Sequence, residues 1–160
     1  MRQKVANTWE SIPQRDPERG CIAWSAEVML TKMSIRVDRE SFQKQHQSGS
    51  FSDLIGQLRS VVPVSFTITV KSYSKQSGGI QFAHIIEACR HGRHVLLSVF
   101  RACEVESKKA LFHSALVVAV TDNGIFVHMG ANELPMELSK QTLIDLHTEG
   151  GDILVVSPKP

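Results

Sequence analysis

The spacing of the apolar residues changes at Gly92, and that change constrains the fold more than any single motif. Ahead of it most segments carry apolar residues three and four apart; after it come runs rich in β-branched residues. Helices first and strands later give an α+β fold, in which an N-terminal helical part packs on one side of a twisted, mostly antiparallel sheet.

The helical half starts after Thr8 to Gly20, a stretch with two prolines, several charges and no period, which reads as an ordered loop. From Cys21 the residues Ile22, Ala26, Met29, Leu30 and Met33 form one apolar stripe, with Glu27 and Lys32 left to face water. This is the expected central helix. Val37 to Phe42 and Phe51 to Leu58 predict shorter helices, the second with Ser52 as its N-cap, and Gln43 to Ser50 reads as a polar loop. The β-branched run Val61 to Val70 predicts an early strand starting at Ser65, followed by a loop from Lys71 to Gly79. Ile80 to His91 is helical, with Ile80, His84, Ile85 and Ala88 on one face and Gly92 as the residue past its end.

Four strands are expected beyond Gly92: His94 to Phe100, Leu111 to Val120, Ile125 to Met129 and Asp152 to Val156. Asp122-Asn123-Gly124 is a hairpin signal between the second and third. Ser139 to His147 predicts a last short helix. The 160 residues, 42% of them hydrophobic, fit a single domain over 1–160 without internal repeats.

Composition removes several function classes. A net charge of +2 with scattered basic residues argues against nucleic-acid binding. No stretch approaches the ~20 apolar residues of a membrane span, and Met1 to Trp9 lacks an apolar signal core. Three cysteines, Cys21, Cys89 and Cys103, are too few for a disulfide framework, so a reducing, cytoplasmic setting is expected, or export without a classical signal peptide.

Chemistry concentrates at two positions. Cys21 stands where a loop becomes a helix, and a helix N-terminus favours thiolate over thiol. His113 opens the strand Phe112 to Val120, about ninety residues later. A thiolate nucleophile and an imidazole are what acyl transfer from an amide needs. Cys89 and Cys103 read as structural. Trp24, one turn beyond Cys21, reads as packing. The segment His84 to His94 contains His84, Cys89, His91 and His94, but the first three would point in different directions around one helix, which is poor zinc spacing; no metal or other cofactor is expected.

Ile12-Pro13-Gln14-Arg15-Asp16-Pro17 before the cysteine, the helix ending Val28-Met29-Leu30, the strand entry Gly92-Arg93-His94-Val95-Leu96, and His113 followed by Val117 to Val120 and a tight turn resemble the papain-like fold. Within it the chain is most similar to bacteriocin-leader peptidase domains and related bacterial cysteine peptidases. The resemblance implies Cys21 as nucleophile, His113 as general base and acid, and Gln14 as oxyanion donor with the Cys21 N–H. The sequence departs from the pattern in three places. Gln14 lies one residue further from the cysteine than is usual, Ile22 stands where a glycine commonly follows, and Met129 occupies the position of the orienting Asp or Asn. Asn132 just beyond is the residue that can replace it; otherwise the site is a Cys–His dyad or has lost activity.

The resemblance implies a thiol hydrolase acting on a peptide or protein substrate through a Cys21 thioester. Peptidase chemistry comes first; protein glutamine deamidation uses the same groups, and small bacterial toxins and injected effectors use this fold for both. The rival from another class is a non-catalytic papain-like module that binds a peptide or partner protein.

Overall fold

A computed structural model of the chain describes residues 21–38, 42, 51–101, 111–128, 136–146 and 151–160. Among these residues four α-helices and six strands follow the order α1 (Cys21–Lys32), α2 (Phe51–Val61), β1 (Phe66–Tyr73), α3 (Gly78–Arg90), β2 (His94–Arg101), β3 (Leu111–Val120), β4 (Gly124–His128), β5 (Met136–Ser139), α4 (Lys140–Leu146) and β6 (Gly151–Pro158). The strands form one sheet in the order β1-β6-β2-β3-β4-β5, and every neighbouring pair is antiparallel. The class is α+β, as the order of patterns predicts.

Strand alternation divides the core into two layers. On one face Leu96, Leu116, Leu154 and Val156 pack with α1 and α2; on the other Val95, Leu97, Ala115, Val117, Ile125 and Ile153 pack with Ile85 and Ala88 of α3 and Leu143 of α4. Of the helices ahead of Gly92, α1 and α2 lie on one side and α3 on the other, which corrects the expectation that the helical part packs on a single side. The second helical layer was not anticipated, because α3 and α4 are separated in sequence by four strands and only the sheet brings them together.

The helix α1 is enclosed all round: every residue from Trp24 to Leu30 is buried. This corrects the expectation that Glu27 faces water, since its side chain is 3% exposed; Lys32, at the end of the helix, is exposed. The stripe predicted for α3 is also shifted. Gly78, Gln81, Ile85 and Ala88 are the buried positions, whereas Ile80 is 56% exposed.

Several boundaries move. Ser52 lies inside α2 and not at its cap, and α2 continues to Val61. β1 runs on to Tyr73, and a single 3-10 turn at Lys75–Ser77 replaces much of the expected loop. Val37 and Asp38 are not helical; Asp38 accepts a backbone bond from Phe42 at 2.8 Å, and the residues between lie outside the described part. The β3–β4 hairpin forms at Asp122 and Asn123, and a side chain at Gly124 would collide with the Leu138 carbonyl of β5. Ser139 caps α4 by accepting from the Thr142 N–H at 3.1 Å. Among the described residues no helix is long and apolar enough to cross a membrane.

Candidate functional site

The segments that contain Cys21 and His113 come together where α1 lies against β3. Cys21 is the first residue of α1. One turn later the Ser25 hydroxyl donates to the Ile22 carbonyl at 3.0 Å and shares a hydrogen bond of 2.6 Å with the Ser114 hydroxyl. Both serines are buried, so this bond fastens the first turns of the helix to the start of the strand in a setting without competing water. Ser114 follows His113, whose backbone is paired with Val99 of β2.

The seam continues along the helix. His128 of β4 stands opposite Leu116, and its buried ring packs on Trp24 at a centroid distance of 4.9 Å with the planes tilted by 58°. Trp24 is fully buried, in keeping with a packing role. At the far end of α1 the Lys32 ammonium reaches the Val118 carbonyl at 3.4 Å. Although Lys32 is exposed overall, partial desolvation lowers its pKa. The helix and strand therefore run side by side, from Ser25–Ser114 to Lys32–Val118.

Cys89 differs from a reactive thiol. It is half-buried on α3, and burial pushes its pKa up to about 11. Its packing against the second core layer accords with a structural role. His94 is held below its usual pKa, first by burial and then by the Lys32 charge. The residues of the rival metal constellation are engaged separately: the His84 Nδ1 is 2.7 Å from the Tyr73 hydroxyl, and the His91 Nδ1 is 2.8 Å from the Glu87 carbonyl. Among the described residues no three His, Cys, Asp or Glu side chains converge as a metal site.

Gln14 and Asn132 lie outside the described residues, as do Cys103 and Met129. The polar residues that the sequence reading did not assign are Ser25, Ser114 and the buried His128. Serine in a helix interior and in a strand gives no signal by itself, because only tertiary pairing turns two weak local choices into one buried bond. Comparison with protein-family models and with curated proteins gives no match.

Proposed function

We propose that the chain is a papain-like, cysteine-dependent amide hydrolase in which Cys21 is the nucleophile and His113 the general base and acid. The observation that carries this reading is the buried Ser25–Ser114 bond, which joins the turn after Cys21 to the residue after His113. Along β3 alternation gives the α1 side to Ser114 and Leu116. His113 has the opposite parity in the unbroken register from Leu111 to Val117, so the proposed pair requires the strand start to depart from that alternation.

In the proposed reaction the Cys21 thiolate attacks the amide carbonyl carbon, and the negative charge that forms on oxygen is held by the Cys21 N–H and the Gln14 amide. The carbon–nitrogen bond then breaks, and the His113 imidazolium protonates the departing amine. A thioester remains on Cys21. His113 removes a proton from water, the hydroxide attacks the thioester carbonyl, and the acid leaves as the thiolate–imidazolium pair is restored. With a protein glutamine side chain as substrate the leaving group is ammonia, and the chemistry is otherwise the same. Asn132 is proposed to orient the imidazole in the place that Met129 cannot fill.

An electrophilic thiol probe at mildly acidic pH tests the proposal by peptide mass spectrometry. Label is expected on Cys21 ahead of Cys89 and Cys103. Equal labelling, or none, would instead favour the module that binds a peptide or partner protein without catalysis.

A further inference from the structure

Among the described residues the strand β1 is an edge of the sheet, paired on one side with β6. The Lys159 N–H donates to the Ser65 carbonyl at 2.7 Å, continuing the register in which Phe66 faces Pro158. In an antiparallel ladder hydrogen-bonded and non-bonded pairs alternate, so Thr67, Thr69 and Lys71 bond to β6. The N–H and C=O groups of Ile68, Val70 and Ser72 turn to the outer edge. Two details fit this phase. The Phe66 N–H turns back to the Pro63 carbonyl at 3.0 Å, and Pro158, which has no N–H, occupies a non-bonded position.

Beside this edge runs a groove of about 490 Å3 whose apolar lining includes Val62, Val64, Phe66 and Ile68. Val64 is 87% exposed, the most exposed large apolar side chain among the described residues. Arg59 and Lys159 line the same groove, and Lys71 projects from β1 itself. All three cations are exposed and have no ion-pair partner among the described residues. Among the described residues no carboxylate lines the groove.

We propose that the β1 edge binds an extended acidic peptide segment, which adds as a seventh strand and lays alternate apolar side chains into the groove. The outward groups of Ile68, Val70 and Ser72 would supply main-chain bonds, and Arg59, Lys71 and Lys159 would select acidic side chains. The same cations decide against a second copy of this chain as the occupant, because pairing two β1 edges brings like charges together. The site is three places away from β3 in the sheet and does not depend on the reading of Cys21.

The test uses the full chain and two labelled ten-residue peptides, one alternating valine with glutamate and the other valine with lysine. Fluorescence anisotropy at low salt should show the glutamate peptide binding at least about tenfold more tightly. Hydrogen exchange should slow at the amides of Ile68, Val70 and Ser72 when it binds. Val70→Pro removes one outward N–H without removing a bond to β6, and should weaken binding about tenfold. The surface pair Arg59→Glu and Lys159→Glu should reverse the preference between peptides even if the proline variant does not fold. Equal affinity for the two peptides, no binding of either, binding without protection at those three amides, or a dimer formed through β1 would each overturn the proposal.

Discussion

The helices α1 and α3 flank opposite faces of one sheet and end in the same way, yet they are buried on different terms. In α1 all seven residues from Trp24 to Leu30 are buried; in α3 burial recurs at Gly78, Gln81, Ile85 and Ala88 and leaves Ile80 in solvent. A helix enclosed on every side must bury polar side chains too, and in α1 Ser25 meets Ser114 across the layer boundary. The surface helix needs no such pairing, but it buries one amide, Gln81, whose oxygen and nitrogen both lack a hydrogen-bond partner among the described residues. The enclosed helix is thus the better matched of the two. It is also the helix that begins at Cys21.

The largest expected effect breaks the enclosed helix. Trp24→Ala removes a fully buried indole from between α1 and His128 and should lower unfolding free energy in urea by about 3–5 kcal/mol. Ile80→Ala on α3 serves as the contrast and should stay within about 0.5 kcal/mol. If the two losses were similar, the difference in enclosure would be refuted.

Next in size is the orphaned amide. Gln81→Leu keeps the volume and deletes two unpaired polar groups, so chemical denaturation should show a gain of about 1–2 kcal/mol. A comparable loss would mean that Gln81 has polar partners in solution, and the contrast with α1 would weaken.

The smallest effect concerns the helix ends. In α1 the Ile35 N–H returns to the Leu30 carbonyl at 2.8 Å over Ser34, and in α3 the Arg93 N–H returns to the Ala88 carbonyl at 3.0 Å over Gly92. Both turns need a left-handed residue; φ is 62° at Ser34 and 71° at Gly92. Ser34→Gly should therefore stabilise by up to about 1 kcal/mol, and Gly92→Ala should destabilise by a similar amount, read from thermal unfolding. Open space around Gly92 leaves backbone conformation as the only source of its effect.

Legibility followed how local each signal was. The bounds of β3 were read to the residue because Leu111 to Val120 is β-rich and ends at a turn whose Asp-Asn-Gly requires tight backbone. Gly92 announced the end of α3 for the same reason. β5 was missed because Met136 to Ser139 is four residues long and its pairing with β4 is not written in either segment. The burial of Glu27 and the exposure of Ile80 depend on which layers cover each helix, a tertiary matter that periodicity cannot supply. At the candidate site, the helix start at Cys21 and the strand at His113 were legible, whereas the Ser25–Ser114 bond and the packing of His128 on Trp24 arise only from the fold. Gln14 and Asn132 rest on the resemblance alone.

The most direct measurement is the pH dependence of iodoacetamide alkylation at Cys21, followed by mass spectrometry in the wild type and in His113→Ala. Cys89, pushed up to about 11 by burial, is the internal reference for an unactivated thiol. A Cys–His pair predicts that Cys21 alkylates with an apparent pKa well below the ~8.5 of a free thiol, and that the value rises when His113 is removed. A Cys21 that titrates near ~8.5 in both proteins, or reacts in neither, would contradict it.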